Sequence, residues 1–551
     1  MAVQNMDDWR WWQDAVIYQI YPRSFQDSDA DGIGDLNGIR QRLPYVAKLG
    51  VDGIWICPFV RSPMRDFGYD VSDFCAIEPL FGTLADFDAL VQEAHNLGLR
   101  VLMDQVWNHT SDEHPWFIES RSSKDNSKSD WYVWADAHQD GGPPNNWRAT
   151  FGGSAWEWDP TRHQYFLHNF LAQQPDLNWY NPDVRKAMVD IGRFWLDRGV
   201  DGFRLDVANF YAHDRTLKDN PIRPSDQPRP AGAALKDPYF DFINEGTVCR
   251  PETLNMLKDI RLLMNEYPNT VALGEVSSAE DSLLAAADYI AGDHRLHLAY
   301  NASLISYEPF TARGLHTLFE HIIELFPQAR LCWTFGTHDF PRLRGRWANH
   351  GRHSEEIEAQ LDRLLPSLLI GLPGSCCIYQ GDELGLTQTQ LNFEQLRDPY
   401  GIANYPEILG RDGCRTPMPW SEHANQGGFS DARTAWLPLP AEHLHLAVEL
   451  QESDPNSLLI AYRNLIRWRR LQPALHGGGF HLYPLEPPLL QFERGEGEQS
   501  ILCVYNFSTS PHHHQIPHNH LKLIEDVSPG IRLKGRELFL PAYGAAFLKK
   551  M

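Results

Sequence analysis

The chain repeats one pattern eight times: an apolar, strand-like run followed by a stretch with helical spacing. The eight apolar runs lie at residues 15–21, 53–57, 100–104, 202–207, 271–275, 296–300, 331–335 and 376–380. Helical patterns lie between most of them, as at 84–97, 184–198 and 254–267. Eight strands that alternate with helices pair in parallel and close into a barrel. The sequence therefore predicts an α/β protein built on a (β/α)8 TIM barrel.

Two segments interrupt this alternation, and a third follows it. Residues 105–176, after the third strand, are too many for one helix and are rich in Trp, Asn, Gly and Pro, which predicts a small inserted domain. Residues 385–452 are irregular and are expected to extend the eighth loop. Residues 477–551 show short strands with turns, which predicts a C-terminal all-β sandwich domain. The barrel itself then comprises residues 1–104 and 177–476.

Composition excludes several classes of protein. The net charge of −23 over 551 residues argues against nucleic acid and anionic membranes as partners. The eight cysteines form no C-x-x-C pair, so we expect reduced thiols and no zinc or redox motif. The tract His512-His513-His514 is expected in a solvated loop. The first ten residues lack an apolar signal core, and no run reaches membrane-spanning length, so we expect a cytoplasmic protein. We further expect a monomer or a small homo-oligomer.

Four of the predicted strands end in, or run into, an acidic residue: Asp104, Asp206, Glu275 and Asp339. Barrel active sites lie at the carboxyl ends of the strands, so these four carboxyls are expected to converge. Arg204 lies two residues before Asp206, on the same face of the strand, and favours its ionised form. A structural ion pair would explain one such carboxyl. Four are harder to explain as part of the packed core, because burying an unpaired charge is costly. An ionised carboxylate beside a protonated one is the pair that glycoside cleavage requires.

These stretches carry a resemblance to a known family. The four that contain the carboxyls are Asp104-Gln-Val-Trp-Asn108-His109, Gly202-Phe-Arg-Leu-Asp206, Gly274-Glu275-Val and Thr337-His338-Asp339. They resemble the four conserved regions of glycoside hydrolase family 13, the α-amylase superfamily. Three more are Gln19-Ile-Tyr-Pro-Arg-Ser-Phe, Phe67-Gly-Tyr69-Asp70-Val-Ser-Asp and Arg415-Thr-Pro-Met-Pro-Trp420. These resemble the α-glucosidase and oligo-1,6-glucosidase branch, and the resemblance covers nearly the whole chain.

The resemblance implies a role for each of the catalytic residues. Asp206 is the expected nucleophile and Glu275 the expected general acid and base. Asp339 is expected to bind the 2- and 3-hydroxyls of the sugar and to stabilise the transition state. The implied activity is retaining hydrolysis of small α-glucoside substrates, and no organic cofactor is expected.

The resemblance also implies a set of substrate-binding residues: Asp66, Tyr69, His109, Arg204, His338 and Arg411. The two histidines are expected to hold sugar hydroxyls, and Tyr69 is expected to stack under the ring. Asp66 and Arg411 match the pair that closes the pocket over the non-reducing glucose. A closed pocket would make the enzyme exo-acting.

The stretch Asp27-Ser-Asp29-Ala-Asp31-Gly32-Ile33-Gly-Asp35 is a candidate metal site. Carboxylates at alternate positions suit a hard cation, and three Asp within five residues repel one another without one. The pattern resembles the start of an EF-hand loop, but Gly38 stands where a closing Glu would be; the alternative is an acidic turn. The family resemblance implies a structural Ca²⁺ or Mg²⁺, held by Asp27, Asp29, Asp31, Ile33 and Asp35.

Alternatives to an α-glucosidase remain open. A transglucosylase or a sucrose isomerase could use the same scaffold, and three arginines after Asp339 (Arg342, Arg344 and Arg346) are expected near the aglycone. The Arg-Leu-Asp-Arg-Asp signature of isomerases is absent. An inactive transporter subunit would have lost catalytic carboxylates, and this chain keeps all three.

The preferred linkage also stays open. Val207, beside the expected nucleophile, resembles the α-1,6-preferring members of the family. The loop at 209–221 instead resembles members that prefer disaccharides of varied linkage. Thr337 stands where the family usually has Asn; this departure leaves the chemistry intact, and it leaves the aglycone preference open.

Overall fold

The fold was analysed in a computed structural model, which describes residues 10–234, 236–326, 331–346, 354–477 and 479–550. Eight parallel strands close a barrel: Val16–Ile20, Gly53–Ile56, Arg100–Gln105, Gly202–Leu205, Val271–Val276, Leu298–Asn301, Leu331–Trp333 and Ser375–Tyr379. Each strand pairs with the next along the chain, and the eighth pairs with the first. The predicted TIM barrel is confirmed. Residues 1–10, which lack an apolar signal core, lie almost entirely outside the described residues.

One long helix follows each barrel strand. These helices are Leu36–Leu49, Leu84–Asn96, Pro182–Leu196, Pro251–Glu266, Ser282–Ile290, Ala312–Leu325, Glu355–Gly371 and Leu458–Arg470. Their starts follow from local sequence: Thr83 and Asp86 form a reciprocal capping box, and Asn181 caps the helix that begins at Pro182. Each helix buries an apolar face against the barrel, as Val184, Met188, Ile191 and Trp195 do in the third.

All eight strands differ from their predicted ranges by one or two residues at an end, and the sixth and eighth are among those that start at a different residue. The sixth strand begins at Leu298 and not at residue 296, because the amide of Leu296 still binds the carbonyl of Tyr289 at the end of the preceding helix. The eighth strand starts and ends one residue earlier than predicted. Neither shift changes which residues lie at the carboxyl ends of the strands.

The segment after the third strand carries its own small elements. They are the helix Pro115–Ser122 and three strands, Trp134–Ala135, Trp156–Asp159 and Gln164–Leu167, the last of which is central. Short helices also lie in the seventh and eighth loops, at Leu343–Arg346, Pro399–Asn404, Ala441–Leu444 and Val448–Ser453. These two loops and the insertion all belong to the end of the barrel where the strands terminate.

Beyond the barrel, residues 479–550 form β-strands and short 3-10 turns, as the predicted all-β domain requires. A five-stranded sheet contains Phe480–Leu482, Leu489–Arg494, Ile501–Asn506, Ala545–Lys550 and Leu521–Leu523, in that order. A three-stranded sheet contains His512–Gln515, Glu537–Leu540 and Arg532–Lys534. Apolar residues of both sheets, such as Val504 and Leu538, share one core.

The histidine tract is a correction to the sequence prediction. It forms a strand that pairs with Glu537–Leu540, and the side chain of His514 is buried. The tract is therefore a strand and not a solvated loop, and the alternation of side chains along a strand explains why one of the three histidines points inward. All eight cysteines are free thiols, as expected. Within the described ranges, no helix is both long enough and apolar enough to cross a bilayer.

Candidate active site

The predicted catalytic residues come together at the carboxyl ends of three neighbouring strands. Asp104 lies in the third strand, Arg204 lies opposite it in the fourth, and Glu275 lies in the fifth. Asp206 directly follows the fourth strand. Because parallel strands present their carboxyl ends at one rim, residues far apart in sequence meet here.

One guanidinium connects the carboxyls. Arg204 Nη1 donates to Asp104 Oδ1 at 2.8 Å and to Asp206 Oδ1 at 2.5 Å. Its Nη2 donates to Glu275 Oε2 and, at 2.8 Å, to the hydroxyl of Tyr300. The side chain of Arg204 is fully buried, so this residue, expected among those that bind substrate, holds the carboxyls and does not face the sugar.

The charges of this cluster do not balance. A single guanidinium faces three buried carboxyls, and like charges at short range disfavour full ionisation. Burial raises the pKa of Asp104 to about 6, against the opposing charge of Arg204. Burial also raises the pKa of Asp206, and the carboxylates of Glu275 and Asp104 add to this rise. Arg204 lowers the pKa of Asp206, as the sequence predicted, but burial and the two neighbouring carboxylates outweigh the guanidinium.

A chain of hydrogen bonds fixes the imidazole of His338. The amide Nε2 of Gln19 lies 2.8 Å from His338 Nδ1, so Nδ1 accepts and the ring proton is on Nε2. Nε2 lies 2.6 Å from the hydroxyl of Tyr69, which in turn donates to Asp104 Oδ2 at 3.1 Å. Burial lowers the pKa of His338 well below its usual range, so the ring is neutral at pH 7.

Asp339 is held by three cationic or hydrogen-bonding neighbours. Its Oδ1 lies 3.1 Å from Arg415 Nη2 and 3.4 Å from Arg411 Nη1, and its Oδ2 lies 3.4 Å from His338 Nε2. Burial alone would raise the pKa of Asp339, but these neighbours outweigh it and lower the pKa well below its usual range. With a quarter of its side chain exposed (24%), Asp339 is the ionised carboxylate most open to the pocket.

The Asp66–Arg411 pair, predicted from residues 345 positions apart, forms in the structure. Arg411 Nη2 donates to Asp66 Oδ1 at 2.6 Å, and both side chains are buried. Behind Arg411 lies Asp398, which accepts from its Nη2, its Nε and its backbone N–H at 2.7, 3.1 and 2.6 Å. Arg411 therefore connects Asp66 to Asp339 in a fixed orientation.

His109 joins the same wall of the pocket. Its Nε2 donates to the carbonyl of Tyr69 at 3.1 Å, and its Nδ1 accepts from the side-chain amide of Asn108 at 3.2 Å. Burial lowers the pKa of His109 to about 4, so this ring is also neutral at pH 7. All six expected substrate-binding residues thus lie around one site.

The backbone turns sharply after the expected nucleophile. Val207 has φ of 35° and ψ of 49°, a left-handed conformation that a β-branched residue adopts only at a cost. In this conformation its N–H reaches Glu275 Oε2 at 3.2 Å. The strained backbone of Val207, directly after Asp206, is thus hydrogen-bonded to the carboxyl of Glu275.

The acidic loop brings together three of the four predicted carboxylates. Asp27, Asp29 and Asp35 each place a ligand atom within 4.8 Å of the others. Asp31, which was predicted as a fourth carboxylate ligand, is not in this group; its Oδ1 accepts from the N–H of Ile33 at 2.7 Å. Burial, together with the carboxylates of Asp31 and Asp27, raises the pKa of Asp29. An all-oxygen, anionic donor set of this kind fits a hard divalent cation.

Several residues of the site were not identified from the sequence. Tyr300 and Asp398 lie in a weakly patterned strand and an irregular loop, so no periodicity marked them. Arg415 lay within a quoted motif, but its contact with Asp339 required the folded chain. The three arginines expected near the aglycone are engaged elsewhere: Arg342 binds Asp382, Arg344 binds Glu358 and Asp362, and Arg346 binds backbone carbonyls.

Comparison with known proteins gives consistent matches. Residues 19–478 match the family described as "Alpha amylase, catalytic domain". A probable α-glucosidase of Rhizobium meliloti (strain 1021) is 48% identical, over 98% of this chain and 97% of that protein. An oligo-1,6-glucosidase of Halalkalibacterium halodurans is 35% identical, over 90% of each chain. The solved structure of an α-glucosyl transfer enzyme has a TM-score of 0.93 at 45% identity, covering 98% of this chain and 100% of that one.

Proposed function

Because the chain belongs to the α-amylase family of glycoside hydrolases, in its α-glucosidase and oligo-1,6-glucosidase branch, we propose that it removes terminal glucose from short α-glucosides with retention of configuration. The observation that carries this proposal is the guanidinium of Arg204, which holds Asp206 and Glu275 together at the rim of the barrel. Carboxyl groups about 5–5.5 Å apart serve retaining enzymes, whereas inverting enzymes need a wider gap for water.

In the first step, a carboxylate oxygen of Asp206 attacks the anomeric carbon of the glucose. The glycosidic bond breaks, and Glu275 transfers its proton to the departing oxygen. In the second step, Glu275 takes a proton from water, which attacks the anomeric carbon and releases Asp206. The N–H of Val207 on Glu275 Oε2 and the guanidinium of Arg204 keep both carboxyls oriented throughout.

Asp339 and the two neutral histidines act on the sugar itself. The ionised carboxylate of Asp339 is suited to accept hydrogen bonds from the 2- and 3-hydroxyls, which strengthen as positive charge develops on the ring. His109 and His338, neutral at pH 7, add hydrogen bonds without adding positive charge near the anomeric carbon. We assign the floor of the pocket to the Asp66–Arg411 pair, which blocks passage of a longer chain.

We further propose that the acidic loop binds a structural Ca²⁺ or Mg²⁺ through Asp27, Asp29 and Asp35, with Asp31 and the carbonyl of Ile33 as further candidates. When bound, the ion would neutralise the loop and stabilise the folded state, and it takes no part in the chemistry. Eight free thiols fit a reducing, cytoplasmic location for a monomer or small homo-oligomer.

Glucosyl transfer is the second candidate activity, and a specific observation favours it. A structure at 45% identity and TM-score 0.93 is that of an α-glucosyl transfer enzyme. Transfer uses the same first step, and an acceptor hydroxyl replaces water in the second. The sucrose isomerase alternative also stays open, because solved structures of a trehalulose synthase and an isomaltulose synthase match this chain at 31% and 30% identity, each with a TM-score of 0.86. Against it, Arg342 and Arg346 bind neighbouring loops and are not free to contact an aglycone.

The test follows the products of the purified protein over time. We expect glucose to be the only sugar released from maltose, isomaltose and their longer homologues, with kcat/KM falling as the chain lengthens. Nuclear magnetic resonance should detect the α-anomer first. Release of maltose or longer oligomers from starch would refute exo action, and initial β-glucose would refute retention. Added alcohols that divert glucose into new glucosides would establish the transfer activity.

A further inference from the structure

Three segments surround the mouth of the proposed pocket: the insertion at 105–176, the loop after the fourth strand and the loop after the eighth. The insertion and the fourth loop are joined by several hydrogen bonds. Asn146 exchanges bonds with Asn220 in both directions, at 2.9 and 2.7 Å. Asn145 and Trp147 also bind backbone carbonyls of the fourth loop, at 3.1 and 2.8 Å. This side of the mouth is firmly closed.

The eighth loop meets the fourth loop differently. The hydroxyl of Tyr400 donates to Asp237 Oδ2 at 2.6 Å, and among the described residues this is the one side-chain hydrogen bond between the two loops. Asp237 is 4% exposed, and its other oxygen accepts from the N–H of Tyr239 at 2.9 Å. The carboxyl of Asp237 is therefore held in place, and the hydroxyl of Tyr400 completes the hydrogen bond between the two loops.

Tyr400 also lies against the insertion and near the pocket floor. Its ring centroid lies 5.5 Å from that of Phe151, and Asn404 of the same short helix donates to the carbonyl of Phe151 at 3.2 Å. Another neighbour of Phe151 is Arg411, whose guanidinium carbon lies 4.8 Å from the ring centroid. Since Arg411 binds Asp66 and Asp339, one aromatic ring separates Tyr400 from the site of the terminal glucose.

We infer that the hydrogen bond from Tyr400 to Asp237 clasps the eighth loop onto the fourth loop and sets the largest aglycone that the enzyme accepts. This inference rests on the proposed exo-acting function and adds a specificity-determining residue to it. A disaccharide places one sugar beyond the cleaved bond, whereas a trisaccharide places two there and needs a wider mouth. Loss of the hydroxyl would leave the ring packed on Phe151 and release only the clasp.

The test compares Tyr400→Phe, Asp237→Ala and the double variant with wild type. Initial glucose release is measured on isomaltose and isomaltotriose, and on maltose and maltotriose, because either linkage could be preferred. We expect the trisaccharide-to-disaccharide ratio of kcat/KM to rise about tenfold in each single variant, the lower end of the range that corresponds to one hydrogen bond to a carboxylate. The double variant should show no further increase, because both changes remove the same interaction.

Tyr405→Phe is the matched control, because this tyrosine ends the same helical segment, is 42% exposed and lies outside the clasp. Its ratio should equal that of wild type, and thermal melting checks that every variant is folded. Should one single variant unfold, the other decides the test. An unchanged ratio in a folded single variant, or additive effects in the double variant, would overturn the clasp. Wild-type release of maltose from starch would instead overturn the exo-acting function itself.

Discussion

Replacing Asp398 by Asn tests whether Arg411 needs a buried carboxylate behind it. Both oxygens of Asp398 are used: Oδ1 accepts from Nε and Nη2 of Arg411, and Oδ2 accepts from its backbone N–H. The amide of Asn keeps one acceptor, but it presents a donor to the other N–H group and removes the negative charge. Arg411 would then turn toward its remaining partners, Asp66 and Asp339, and lose its fixed angle.

The expected magnitude follows from the number and type of hydrogen bonds. A hydrogen bond to a charged group contributes about 1.5–3 kcal/mol, and Asp398→Asn removes the equivalent of one such bond to Arg411. A loss of about 2–3 kcal/mol in transition-state binding corresponds to a fall in kcat/KM of about 30–150-fold. Steady-state kinetics on nitrophenyl α-glucoside and on maltose measure this fall, and thermal melting separates it from unfolding.

Asp412→Asn provides the control for loop stability. Asp412 Oδ2 accepts from the backbone N–H groups of Arg397 and Asp398, so this change loosens the same loop without touching the guanidinium of Arg411. We expect it to lower the melting temperature and to leave kcat/KM within a small factor of wild type. If Asp398→Asn kept kcat/KM within about threefold, or if both variants lost activity equally, Asp398 would not position Arg411.

Three further predictions concern the proposed nucleophile, the acid and the metal loop. Asp206→Asn should lower kcat by several orders of magnitude, because an amide forms no glucosyl ester; retention of about a tenth of wild-type activity would exclude Asp206 as the nucleophile. Glu275→Gln should impair maltose far more than nitrophenyl glucoside, whose leaving group needs no proton, and equal losses would contradict the assignment. Asp29→Ala should lower the melting temperature and abolish its dependence on Ca²⁺, Mg²⁺ and chelator, with kcat little changed; melting identical to wild type would contradict a metal there.

The barrel could be predicted because its strands are buried on both faces. Such strands are continuous apolar runs in the sequence, and the intervening helices show a different period. The carboxyls at the strand ends followed from the same reasoning, since Asp104, Asp206 and Glu275 interrupt or end apolar runs. The sixth strand was the least distinct in sequence, and its start was placed two residues early.

The rest of the site depends on contacts that no local pattern encodes. Asp398 and Tyr400 lie in an irregular loop, where spacing does not indicate which side chains face the pocket. Asp31 was grouped with the other acidic residues by its alternate position, yet the folded loop brings only Asp27, Asp29 and Asp35 together. Long-range pairs such as Asp66 with Arg411 were inferred from a family resemblance and not from the chain alone.

The single guanidinium beneath Asp104, Asp206 and Glu275 has a consequence for how this enzyme titrates. Interacting groups lose their protons in macroscopic steps that belong to the set, so neither limb of the pH–rate profile reports one side chain. A substitution at Asp104, which performs no chemistry in the proposed mechanism, would then move both limbs. The pH optimum of the enzyme is therefore set by the whole group of carboxyls that bind Arg204, and not by one of them.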